Sequence, residues 1–131
     1  MTLYTKCILN PASSEEGVRI SVMSRHTLND GKTPDTRLND QYLEHLQKLG
    51  PPAKLIGDYY KRGLKWEEFE KRYLDYLQNP EIKNLIEDLA RRALVKDLTL
   101  LCIEETPERC HRRLIAEECQ RLMPELKVEH R

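Results

Sequence analysis

The chain has 131 residues, about the size of one domain, with 39% apolar and 34% charged residues, and a single hydrophobic core spanning 1–131 is expected. Its 22 basic side chains equal its 22 acidic ones, so no global field draws in nucleic acid or an anionic membrane surface. No run approaches the roughly 20 apolar residues of a membrane span, and Met1 to Pro11 lacks the charged start and apolar stretch of a leader, which predicts a cytoplasmic protein without membrane association.

Leu3 to Leu9 is rich in β-branched, aromatic and aliphatic residues and stops at Asn10-Pro11, which predicts a first strand. After a polar turn, Val18, Ile20 and Val22 alternate with Arg19, Ser21 and Met23, the period of a second strand ending near Ser24-Arg25-His26. Thr27 to Leu38 holds turn residues and little to bury, so it reads as an irregular loop and a candidate lid. Asn39 or Asp40 can cap a short helix through Lys48, with Leu43 and Leu46 facing inward. Pro51-Pro52 opens another helix carrying Leu55, Ile56, Tyr59 and Tyr60, ended at Gly63. Helical spacing then joins Trp66, Phe69, Tyr73, Leu74 and Leu77, and, after Asn79-Pro80, Ile82, Leu85, Ile86, Leu89, Ala93 and Leu94. These stripes read as core.

Leu98 to Ile103 is nearly continuous apolar sequence, the mark of a strand covered on both faces. Thr106 then reads as an N-cap with Pro107 at the first helical position, and this helix runs to about Met123. Leu126 to Glu129 can form a last strand, so that strand, helix and strand make a right-handed βαβ unit with parallel strands. The expected fold is α/β: a small mixed or parallel sheet of about four strands covered by about five helices.

In such a sheet, ligands settle beyond the carboxyl ends of strands, beside the amino ends of the following helices. That edge lies between Cys102 and Arg113. With about 100° of turn per residue, His111 and Arg112 point toward the sheet edge, whereas Cys110 diverges from His111 and cannot easily share a proton with it. Arg112 and Arg113, with Arg109, add positive charge to a helix amino end, which suits phosphate or carboxylate. The alternative for Arg112 is an ion pair with Glu104 or Glu105 that ties the loop down. Arg25 and His26, at the end of the second strand, can face His111 and Arg112 across a crevice. Cys110 as an activated thiolate with His111 as acid or base is the catalytic alternative; a packing role is the other. His45 and His130 read as surface residues.

The four cysteines, Cys7, Cys102, Cys110 and Cys119, sit in apolar segments without a dense framework, so reduced thiols are expected. A phosphatase loop requires a Cys, five residues and an Arg with glycine in the turn; Cys102 to Arg109 has six between, three of them glutamate and none glycine. A zinc set of Cys102, Cys110, His111 and His26 has suitable ligand types but no Cys-x-x-Cys clip, so no metal and no cofactor is assigned.

Leu101-Cys102, Glu104 and Pro107, followed by Cys110-His111-Arg112-Arg113-Leu114-Ile115-Ala116-Glu117, resemble the C-terminal signature of the domain of unknown function 488 family. Arg19-Ile20-Ser21-Val22, Leu49-Gly50-Pro51-Pro52, and Trp66-Glu67-Glu68-Phe69 with Arg72-Tyr73 are similar to that family's other blocks in the same order. The resemblance covers nearly the whole chain and implies a small α/β fold with a Cys-His-Arg edge; it names no reaction. Another branch carries Leu-Trp-Pro-Arg-Gly after the second strand where this chain has Ser24-Arg25-His26-Thr27, so no role of that stretch carries over.

Taken together, the residues predict an anionic, phosphate-bearing ligand, such as a nucleotide or other small molecule, held in a crevice by Arg25, His26, Arg112 and Arg113. Nucleic acid is a further partner class, one that the net charge does not support. An enzyme using Cys110 or His111 and a non-catalytic interaction module are the competing readings.

Overall fold

The computed structural model describes residues 1–131. Five strands, β1 (Thr2–Cys7), β2 (Val18–Ser21), β3 (Glu44–His45), β4 (Leu98–Cys102) and β5 (Lys127–His130), form one sheet in the order β3-β2-β4-β1-β5. Every pairing is parallel. Four α-helices, α1 (Ala53–Lys61), α2 (Trp66–Leu77), α3 (Pro80–Val95) and α4 (His111–Leu122), accompany it. The last strand-helix-strand unit is parallel as expected, but β1 lies between β4 and β5. No helix is long and apolar enough to cross a membrane.

All four helices bury their apolar stripes in one cluster with Leu3, Ile20, Leu98 and Leu100. β4, central and flanked by β1 and β2, is buried at every residue, which explains its unbroken apolar sequence. Strand alternation sends Lys6, Arg19 and Thr99 to the opposite face. There the buried Glu16 carboxylate pairs with Lys6 and Arg19, and Arg19 also donates to the carbonyls of Asn10 and Gln41. Loops thus close that face around an ion triad.

Two predicted elements are corrected. Residues 39–48 are not a helix: Asp40 has φ +65°, and the Leu43 and Leu46 amides donate to the Arg19 and Ser21 carbonyls of β2. Edge pairing of this kind outweighs a weak local helical pattern. Only a short 3-10 turn, Gln47–Leu49, remains. Leu43, expected to face inward, is 76% exposed. Leu43→Ser is therefore expected to change unfolding free energy by no more than about 0.5 kcal/mol, whereas truncating a core leucine costs about 2–5 kcal/mol; urea titration separates the two.

The last helix starts at His111 and not at Thr106-Pro107. Arg112 donates to the Glu104 carbonyl, and Arg113 donates to those of Pro107 and Glu108. Arg113 thus holds two carbonyls that a helix begun at Thr106 would have turned along its own axis. Cys110 becomes the N-cap residue, extended at φ −138°, ψ 138°.

Candidate functional site

A cleft of about 710 Å³ opens at the carboxyl ends of β2 and β4, where open α/β sheets place ligands. Met23 and Ser24 follow β2 into one wall, Cys102 and Ile103 come from the end of β4, and His111 closes the floor. Helix α1 supplies Ile56, Tyr60 and Lys61. Pro51, next to Gly50, aligns that helix with the β2 end: a Cβ at Gly50 would overlap the Ser24 backbone, and Ser24 Oγ donates to the Pro51 carbonyl at 2.5 Å. The loop from Arg25 to Gly31 forms the outer rim.

Three cations, Arg25, Lys61 and Arg62, face this cleft with one carboxylate, Glu104. Tyr60 donates its hydroxyl to Glu104, and Arg62 is held by Asp58. Burial first, then that carboxylate, raises the Tyr60 pKa far above its ordinary value. Lys61 makes no ion pair at contact distance, although its charge acts on Asp30 of the 25–31 loop, and Arg25 has only a long contact, 3.5 Å, to the Gly31 carbonyl.

At the floor, ligand atoms of Cys102, Cys110 and His111 all lie within 4.8 Å of one another. His111 Nε2 is 2.7 Å from the Val22 carbonyl; a carbonyl only accepts, so Nε2 carries a proton, and in the neutral form of the ring Nδ1 holds the lone pair. That lone pair lies 3.6 Å from Cys102 Sγ. The ring is further fixed edge-on against Tyr73, with centroids 5.6 Å apart.

Arg112 lies behind the sulfurs, 0% exposed. Its Nη1 contacts Cys110 Sγ at 3.2 Å and the Glu104 carbonyl at 2.7 Å, while Nε and Nη2 have no partner. The anticipated tie to a Glu104 or Glu105 carboxylate is absent; the bond runs to the main chain. An uncompensated buried cation costs several kcal/mol, and the sulfurs are the groups beside it that can turn negative. The two thiols accordingly diverge. Donation from Cys110 lowers the Cys102 pKa against the opposing effect of burial, helped by the Glu104 amide and Arg112. Burial, then bonding to Cys102, raises that of Cys110.

Cys102, Cys110 and His111 are also ligand types that zinc accepts. Two thiolates would cancel a dication and leave the Arg112 charge uncompensated, whereas a single thiolate without metal compensates it. The set fits a thiolate better than a cation.

The cleft gathers some of the anticipated residues and excludes others. Arg25 and His111 line it. Cys110 is buried beside it and, as the N-cap residue, has its sulfur within 4.8 Å of the ligand atoms of His111 and Cys102, but the sulfur that bonds the imidazole is that of Cys102. Arg112 is sealed behind the floor. Arg113 turns away to Glu117 and Glu70. His26 points to the other side of the strand end, bonded to Ser21 Oγ at 2.7 Å and stacked on His45 at 4.0 Å. Burial, then His45, lowers its pKa to about 4. His45, expected on the surface, is half-buried and donates to the Met23 carbonyl, whereas His130 is exposed as expected and bonds Thr5. Lys61 and Tyr60 were concealed in an apolar helical stripe. Cys102 was concealed in a buried strand, although a reactive group at the carboxyl end of a central strand is a recurrent signal.

A protein-family model, DUF488-N3a, described as the active DUF488-N3 subclade, matches residues 3–121. No curated protein and no solved structure matches the chain.

Proposed function

The chain belongs to the DUF488 family, in the subclade described as active, and from this premise we propose that it binds a small anionic molecule in the cleft between β2, β4 and α1. The observation that carries this reading is the convergence of Arg25, Lys61 and Arg62 on one concavity of about 710 Å³ whose only carboxylate is already engaged by Tyr60. That volume lies within the range of small-molecule sites, roughly 300–1,000 Å³, and suits a nucleotide-sized ligand better than a nucleic-acid duplex. Lys61 and Arg25 supply cationic groups that form no ion pair at contact distance; Ile56, Ile103 and Phe69 supply apolar wall.

Thermal denaturation with inorganic phosphate, nucleoside mono-, di- and triphosphates and dicarboxylates tests it. A ligand at ten times its Kd adds about 1.4 kcal/mol, a rise in Tm of several degrees for a domain this size. Wild type is expected to show that rise with at least one phosphate-bearing compound, and Lys61→Ala and Arg25→Ala to lose most of it. No rise with any anion, or the same rise in both variants, would defeat the reading.

A second reading, catalysis by a cleft thiol, is favoured by the contact of Cys102 with both the cleft and His111. The subclade's description supports it. Its outcome is loss of turnover in Cys102→Ser.

A further inference from the structure

We propose that Cys102, and not Cys110, is the nucleophile of this cleft, with His111 Nδ1 as its proton acceptor and Cys110 and Arg112 as positioning residues behind it. The inference rests on the catalytic reading above and takes its substrate class, an electrophile bearing an anionic group, from the anion-binding reading. Cys102 ends β4 and is among the residues that line the cleft, 4% exposed, whereas Cys110, 2% exposed, is not among them. A nucleophile has to meet its substrate, and this difference of position selects between the two thiols.

The surroundings of Cys102 suit a thiolate on each side. His111 Nδ1 is 3.6 Å from Sγ, with the ring held by the Val22 carbonyl at Nε2. Moving the thiol proton to Nδ1 gives a thiolate and an imidazolium that keeps both of its hydrogen bonds. Cys110 Sγ lies within 4.8 Å of Cys102 Sγ and accepts from Arg112 Nη1 at 3.2 Å. Arg112, sealed from solvent and with two N–H groups unpartnered, passes positive charge through Cys110 to Cys102. The sequence pattern Cys102 to Cys110-His111-Arg112 is thus one device, with the first cysteine reactive and the remaining residues its support.

In the covalent step the Cys102 Sγ lone pair forms an S–C bond at the electrophilic carbon. The bond from that carbon to its leaving group breaks, and the leaving group departs with the electron pair and takes the proton from His111 Nδ1. With iodoacetate as the probe, C–I breaks and iodide leaves.

Native protein treated with limiting iodoacetamide or iodoacetate, followed by peptide mass mapping across pH 6–9, tests the proposal. Cys102 is expected to be alkylated at least about tenfold faster than Cys7, Cys110 and Cys119, with a pH midpoint below the ordinary thiol range near 8.5. Cys110→Ala should keep Cys102 as the labelled residue while raising that midpoint. Labelling led by Cys110, labelling of Cys102 no faster than 2-mercaptoethanol at the same pH, or acceleration by a chelator would overturn it. The ratio of iodoacetate to iodoacetamide rates at Cys102, relative to 2-mercaptoethanol, isolates the anion-binding reading. A ratio above one that falls to one in Lys61→Ala supports that reading. A ratio of one with fast Cys102 labelling leaves the nucleophile in place and removes the anionic substrate class.

Discussion

Glu16→Gln is expected to lower unfolding free energy at neutral pH by about 3–5 kcal/mol, a large part of the roughly 5–15 kcal/mol available to a domain. The Glu16 carboxylate is fully buried and is shared by Lys6 and Arg19, whose side chains are themselves nearly enclosed. Gln preserves volume but leaves two buried cations facing a neutral amide, and breaking one partner of such a group is costly because the remaining charge stays desolvated. Burial alone raises the Glu16 pKa; the hydrogen bonds from Lys6 and Arg19 outweigh it and hold the carboxyl below its usual range. A depressed folded-state pKa means that the stabilisation is complete above the unfolded value near 4.3 and is lost as pH falls through the folded value. Urea unfolding of wild type should therefore weaken steeply below about pH 4, and Glu16→Gln should remove much of that acid slope. An unchanged midpoint at pH 7, or an unchanged slope, would show that the triad contributes little.

The ion triad also shows where local sequence ceased to be informative. Helices α2 and α3 were legible because Trp66, Phe69, Tyr73 and Leu77, and then Ile82, Ile86, Leu89 and Ala93, each cover several turns at one period, and the packing obeys it. β4 was legible because a strand buried on both faces has no polar alternation to confuse it. Residues 39–48 offered only Leu43 and Leu46, too few to distinguish a helix from an edge strand. What decides between them is backbone pairing with Arg19 and Ser21, which leaves no trace in side-chain pattern. The start of α4 was misread for a related reason: Thr106-Pro107 has the right residues for a helix start, but the guanidinium groups of Arg112 and Arg113 bind the loop carbonyls from a distance in sequence. That error had a chemical consequence. Placing Cys110 inside a helix separated it from His111, whereas as an N-cap residue it joins His111 and Cys102 in one cluster. Arg25 and His26, adjacent in sequence, part at the strand end, one to the cleft and one to His45.

Arg112→Met is expected to leave the fold standing while slowing alkylation of Cys102 at pH 7 by about tenfold or more. Methionine fills much of the same apolar volume, and exchanging a buried, partly unpartnered ion for a well-packed hydrophobe is often neutral or stabilising. Arg112 has no carboxylate that would be stranded by its removal. Thermal denaturation should consequently show little or no loss. Reactivity should respond differently. A cation about 4 Å from a charge interacts with it at about 4 kcal/mol at an effective dielectric of 20, and each pKa unit corresponds to about 1.36 kcal/mol. Because Arg112 acts across Cys110, a rise of about one to two units in the Cys102 pKa is the scale to expect. Removing a cation raises a thiol pKa, so the loss should be greatest near neutrality and should diminish as pH climbs through the new value. Arg112→Lys keeps the charge but not the planar fork that reaches both Cys110 Sγ and the Glu104 carbonyl, and should fall between wild type and Met. A cooperative, wild-type-like melt with a displaced pH–reactivity profile identifies Arg112 as an electrostatic support for Cys102. An unfolded Arg112→Met chain, or a folded one with the wild-type profile, would assign it instead to holding the 104–110 loop.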